Sequence, residues 1–305
     1  SACGKYCRRL RPSVLSRMRF RTIRRACAAL ACVAAAGTAA RTQGAVATAA
    51  ADSVLLVRAG RLFDSERGIL LPARDIVVRG DTVAAVGERL PVPPGARIVD
   101  LSRYTVLPGL VDAHAHLLME HPGDEGPGET AVREIVREGE VLRALRGAAR
   151  ARTYLDAGFT TVRDLGNAGR FADVALARAI AEGTLPGPRL VVAGPGLAPE
   201  GAQLDGIDAR HRALVDEEYR IVRGPDDARQ AVRENVTRGA RVIKLYANAS
   251  PNPAHLTVAE MRAAVEEAHL MGVTVTAHAT TDVAAWRAVE AGVDGLEHAR
   301  NVADS

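Results

Sequence analysis

Apolar and polar positions fall into two rhythms along the chain. From Ser53 to Val106, short apolar runs (Val54 to Val57, Ile76 to Val78, Val83 to Val86) are broken by Gly60, by Arg79-Gly80-Asp81 and by Gly87. Runs of Val, Ile and Leu punctuated in this way predict β-strands joined by tight turns. Residues 51–106 are therefore expected to be the N-terminal part of a small β-domain. The segment is too short to close a core of its own, so further strands are expected to complete it.

After Leu107-Pro108-Gly109 the period lengthens, and short buried runs alternate with longer amphipathic ones. Strands are expected at Leu110 to Ala113, Thr160 to Arg163, Leu190 to Ala193, Val242 to Leu245, Val273 to Ala277 and Gly295 to Glu297. The helices between them carry end signals. Thr257 and Glu260 form a capping box with Gly272 as the stop, Asp282 caps a run ending at Gly292, and Pro225 opens a helix closing at Gly239. About six strand-helix units imply a parallel sheet with right-handed crossovers, either doubly wound or a barrel.

The polar residues favour the barrel. His114 and His116 end the first expected strand, Asp164 the second, His278 the fifth and His298 the sixth, while Lys244 lies within the fourth. Barrel enzymes place their chemistry at the C-terminal ends of strands. A doubly wound sheet would concentrate it at one switch point, usually beside a Gly-rich phosphate loop, and no such loop follows a strand here. The expected fold is thus α/β: an incomplete (β/α)8 TIM barrel over residues 107–305, truncated after strand six, with the small N-terminal β-domain before it.

Composition alters the picture mainly at the start of the chain. The 305 residues include 40 basic and 36 acidic side chains, a formal charge of +4, and several of the basic ones lie in the first 25 positions. This N-terminal excess gives no reason to expect a nucleic-acid partner. The first methionine is Met18, followed by Arg19, Arg21, Arg24, Arg25 and an apolar stretch from Ala26 to Ala40, with small residues at Ala47-Thr48-Ala49. That pattern predicts a signal peptide over 18–50, with residues 1–17 upstream of the start, and export to the periplasm or beyond. The stretch is shorter than the roughly 20 residues a spanning helix needs, so no stable membrane insertion is expected after cleavage. Cys3, Cys7, Cys27 and Cys32 all fall in or before this segment, which excludes a disulfide framework or a thiolate metal site in the mature chain.

Candidate chemistry lies in the second rhythm. His114 and His116 are two apart, so on an extended strand both rings share a face and can bind one metal through neutral imidazole nitrogens. Only two of the 40 basic residues are lysines, Lys5 and Lys244. A chain that otherwise uses arginine has put a lysine in the apolar run Val242-Ile243-Lys244-Leu245, where an unpaired ammonium is costly. Lysine can be neutral when buried and react as an amine, whereas arginine cannot. His278 and His298 each follow a short apolar strand, while His121, His211, His255 and His269 have no comparable context.

The run Leu107-Pro108-Gly109-Leu110-Val111-Asp112-Ala113-His114-Ala115-His116 closely resembles the opening strand of the metal-dependent amidohydrolase superfamily, whose His pair binds the more buried metal. Gly239 to Lys244 looks like the segment whose lysine is carboxylated and bridges two ions, and the contexts of His278 and His298 resemble the two ligands of the second ion. Gly158 to Gly166, Arg223 to Arg229 and Leu256 to His269 are similar to the imidazolonepropionase-like and Xaa-Pro dipeptidase (prolidase-like) branch. The chain departs from that branch twice: Gly194 to Gly206 lacks a Gly-Gly-His loop, and Thr280 stands where a second histidine often follows the strand-five ligand.

The resemblance implies two divalent ions, Zn²⁺ being expected, held by His114, His116, carboxylated Lys244, His278 and His298, with Tyr246 as a substrate contact. It implies hydrolysis of an amide or peptide C–N bond in a dipeptide or other small molecule, by hydroxide from a metal-activated water whose pKa falls toward ~7. A homo-oligomer is among the expected assemblies. The family's general-base Asp follows strand eight, which would lie beyond Ser305, so the chain reads as a fragment expected to be inactive alone. Two alternatives stay open: a cyclic-amide hydrolase or lactonase of the same superfamily, and a non-catalytic periplasmic binding protein on the same barrel.

Overall fold

The computed structural model describes residues 53–120, 127–166, 169–204, 206–249 and 252–300. The expected upstream segment, the signal peptide and His121 lie outside the described residues. The first rhythm forms four strands, β1 (Val54–Asp64), β2 (Ile69–Arg79), β3 (Thr82–Gly87) and β4 (Arg97–Val106), in the sheet order β3-β2-β1-β4. β1 pairs antiparallel with β2 and parallel with β4. Gly60 marks the bulge in β1, where an added Cβ would come within 2.1 Å of the Ser102 carbonyl oxygen. Leu56, Ala59 and Val77 are buried, but Val83, Val86, Ile98 and Tyr104 are exposed.

The second rhythm is α/β. It runs β5 (Leu110–Ala115), α1 (Pro127–Arg137), α2 (Gly139–Asp156), β6 (Phe159–Asp164), α3 (Ala172–Ala181), β7 (Arg189–Val192), β8 (Gly196–Ala198), α4 (Ala213–Glu218) and β9 (Tyr219–Ile221). It continues with α5 (Pro225–Arg238), β10 (Val242–Tyr246), β11 (Asn248–Ala249), β12 (Asn252–His255), α6 (Val258–Leu270), β13 (Thr274–Ala279), α7 (Asp282–Ala291) and β14 (Gly295–His298). Two parallel sheets result, β5-β6-β7 and β14-β13-β10-β8-β9, with β11 and β12 as a small hairpin. The Arg241 N–H donates to the Val192 carbonyl at 2.8 Å, which carries the order from β7 to β10. The six expected strands therefore stand side by side in chain order. β8, β9 and the hairpin were not expected; they are too short to leave a periodic signal.

Helix ends follow local chemistry. Thr257 and Glu260 form the expected capping box, and α5 begins at Pro225 and closes on Gly239 in a left-handed conformation (φ +119). One expectation needs correction. The cap of α7 is Thr281, whose hydroxyl accepts the Ala284 N–H at 3.3 Å, and Asp282 is the first helical residue. Thr281 has the extended backbone a cap requires, while the Asp282 charge sits favourably in the first turn.

Strand periodicity sorts the side chains. Ile243 and Leu245 of β10 and Val275, Ala277 and Ala279 of β13 join one core with Ala228, Ala231 and Val232 of α5, Met261, Ala264 and Ala268 of α6, and Ala284, Ala285 and Ala288 of α7. Alanine on the helix faces lets the strands approach closely. Lys244, Tyr246, Thr276 and His278 alternate with these core residues and so project to the opposite, inner face. Truncating Ile243 to Ala is expected to lower unfolding stability by about 2–5 kcal/mol, measured by denaturant titration.

Candidate metal centre

His114, within β5, and His116, just after it, bring their Nε2 atoms to 3.2 Å from each other. His114 Nδ1 lies 2.6 Å from the Glu297 carboxylate and His116 Nδ1 lies 2.9 Å from the Gly166 carbonyl oxygen. Both partners only accept, so in the neutral rings each proton sits on Nδ1 and each Nε2 presents its lone pair. Two lone pairs facing each other at that distance repel unless a proton or a metal cation stands between them. The separation suits two nitrogen ligands each about 2.0–2.1 Å from one ion, and anchoring of the far nitrogen by carboxylate or carbonyl is the usual support for a metal-bound histidine.

The other expected residues gather beside this pair. The His298 ring centre is 4.9 Å from that of His114 and 4.7 Å from that of His278. His298 takes a left-handed backbone conformation (φ +68), uncommon outside glycine but tolerated by histidine. Lys244 is 1% exposed, and its Nζ lies 5.4 Å from the Tyr246 ring centre. Tyr246 is itself buried between Tyr219 and His278, and an added Cβ at Gly196 would meet its ring at 2.5 Å. It forms a packed wall of the site. Among the described residues, no group of three or more His, Cys, Asp or Glu side chains closes around one point as a finished metal cage.

Electrostatics keep these groups available as ligands. Burial pushes the Lys244 ammonium down to about 8; the Glu297 charge opposes that fall and Arg163 adds to it. Burial and then the Lys244 charge push His278 down to about 3 and His298 down to about 4, so both are neutral near pH 7. Burial acts to raise Glu297, but hydrogen bonds from His114 and Thr276 and the Arg163 charge outweigh it and hold the carboxyl at about 2.

Glu297 was missed at the sequence level. It accepts from His114, from the Thr276 hydroxyl at 2.6 Å and from Arg163 at 2.6 Å. The available signal was the same as for Lys244: a charge within a short apolar strand, Gly295-Leu296-Glu297. Asp164 ends β6 as expected. Its two oxygens accept the Leu117 N–H (2.9 Å) and the Gly166 N–H (3.2 Å), tying together the two segments that hold His116. Burial and the Asp173 charge raise its pKa. The residues after His116 are fixed further by Arg150, which donates to the Leu117 carbonyl, and by buried Arg143, which donates to that of Leu118 and pairs with Glu218. Thr280 exchanges two hydrogen bonds with Asn248, and His269 pairs with Asp294, a structural role.

The sequence profile of the amidohydrolase family matches residues 105–304. The chain belongs to that family. Among curated relatives, the ochratoxinase of Aspergillus niger is 27% identical over 283 residues, covering 80% of this chain and 54% of that protein. The chain thus spans about half the length of that relative. Among solved structures, a prolidase complexed with N-methylphosphonate-L-proline has a TM-score of 0.70 at 30% identity, over 82% of this chain and 62% of its own. A Xaa-Pro dipeptidase with bound methionine in its active site has a TM-score of 0.69 at 28% identity, over 81% and 61%.

Replacing Glu297 by Gln removes the charge behind His114. Zn²⁺ affinity is expected to fall about 10–100-fold, measured by competition with a chromophoric chelator.

Proposed function

We propose that this amidohydrolase-family chain carries the metal-binding face of a hydrolase that cleaves amide or peptide C–N bonds in small molecules, with Xaa-Pro dipeptides as the leading substrate class. The observation that carries the reading is the His114–His116 pair, two lone pairs converging at 3.2 Å with each far nitrogen anchored to an acceptor. Lys244, His278 and His298 beside it would hold a second ion, Lys244 in a carboxylated form. The likeness to a prolidase and to a Xaa-Pro dipeptidase supports the substrate class. The six ordered parallel strands support a barrel of the eight-unit kind.

Bound Zn²⁺-type ions would supply carbonyl polarisation and a water ionising near neutral pH. His114 and His116 would hold one ion through Nε2, and Glu297 and the Gly166 carbonyl would fix their tautomers. Glu297 and Asp164 are both occupied by donors and act as positioning residues. Tyr246 shapes the wall beside His278. Among the described residues, no helix is long and apolar enough to cross a membrane. Export belongs to the proposal and rests on the Met18 to Ala49 pattern alone.

A panel of Xaa-Pro dipeptides, N-acyl amino acids and cyclic amides, assayed with Zn²⁺ or Mn²⁺ on the chain extended to the length of its relatives, tests the reading. Chelation is expected to abolish turnover and added Zn²⁺ to restore it. Lys244→Ala is expected to lower kcat/KM by about 100-fold or more, equivalent to losing several kcal/mol of transition-state stabilisation. Full turnover after exhaustive chelation would sink the proposal.

A further inference from the structure

The stretch that lacks the Gly-Gly-His loop still delivers a polar side chain to the centre. The Gln203 amide nitrogen lies 3.3 Å from His278 Nε2, and the Tyr219 hydroxyl donates to the Gln203 amide oxygen at 3.5 Å. The loop is built to hold that position. Ala202 and Leu204 on either side of Gln203 are buried. Asn252 donates from Nδ2 to the Glu200 carbonyl at 2.9 Å and to that of Ala202 at 3.5 Å. Tyr219 is buried and packs edge-on against Tyr246 at 5.2 Å, and Tyr246 lies against the His278 ring at 5.3 Å. Gln203 is thus braced through Tyr219 by the same aromatic wall that flanks His278.

We propose that Gln203 is a positioning residue for His278, holding the Nε2 edge of the ring so that Nδ1 is the nitrogen turned to the ion. The inference rests on the metal-centre reading above. A neutral imidazole that gives its Nδ1 lone pair to an ion carries its proton on Nε2 and needs an acceptor there. In the structure the amide NH₂ faces His278 Nε2, and Gln203 supplies the acceptor by turning over: a half-turn of the amide, which keeps both contacts, presents Oε1 to His278 and the NH₂ group to the Tyr219 oxygen, which accepts as well as donates. His114 and His116 are anchored through Nδ1 and offer Nε2. His278 is held the other way round, because its partner reaches it from the Nε2 side.

Two substitutions separate this role from packing. Gln203→Met keeps the length of the side chain without an acceptor, and Gln203→Glu supplies a stronger one. Zn²⁺ is titrated into the metal-free protein against a chromophoric chelator, bound metal is counted by mass spectrometry, and metal-free melting temperatures are compared. The expected result is that Q203M loses about 10–100-fold in affinity for one of the two ions, while Q203E binds both like the parent. Parent-like binding by Q203M, or binding by Q203E as weak as that of Q203M, overturns the inference and leaves the metal centre standing. If Q203M melts early, Q203E still decides: tight binding supports the inference and weak binding overturns it. A parent protein that takes up no Zn²⁺ overturns the metal-centre reading and this inference with it.

Discussion

The hydrogen bond between His114 Nδ1 and Glu297 spans 183 positions and joins the first and last of the six parallel strands expected from the sequence. It forms only because the wall of strands curls far enough for β5 and β14 to face each other. With the Glu297 carboxyl held ionised by Thr276 and Arg163 as well, the His114 proton is drawn to Nδ1 and the lone pair on Nε2 is turned to His116. The rest of the site depends on that polarity. Were the proton on Nε2, the two rings would share a hydrogen bond and the lone-pair convergence would vanish.

The same wall explains how Lys244 is tolerated in a dry interior. β10 and β13 send Ile243, Leu245, Val275 and Ala277 outward to alanine-lined helices and Lys244, Thr276 and His278 inward. The polar side chains therefore meet one another and not the apolar core, and burial shifts them toward their neutral forms and away from charge. With both imidazoles neutral, the Lys244 charge faces no like charge from them. The same groups in their charged forms would repel.

Much of this was legible in the residues. All six expected strands are present within two residues of their expected ends, because each is a short β-branched or aliphatic run bounded by turn residues. The capping box at Thr257 and the Gly239 stop were legible because they are chemistry over four residues or fewer. The misplaced cap at Thr281 and Asp282 shows the limit of that reading: either residue can cap, and backbone geometry chose. β8 and β9 were invisible at three residues each, and the loop from Glu200 to Leu204 carried no periodic signal at all.

By itself the sequence determined which side chains can do chemistry and which face of each strand they occupy, since the two-residue alternation is a local property of extended backbone. It marked His114, His116, Lys244, His278 and His298 in that way. Only the tertiary structure decided what stands behind them: Glu297 behind His114, Gly166 behind His116 and Gln203 beside His278. Those partners lie 50 to 183 positions away from the rings they hold. No local preference encodes such pairings, because they arise from the curl of the strand wall and the packing of the loops above it.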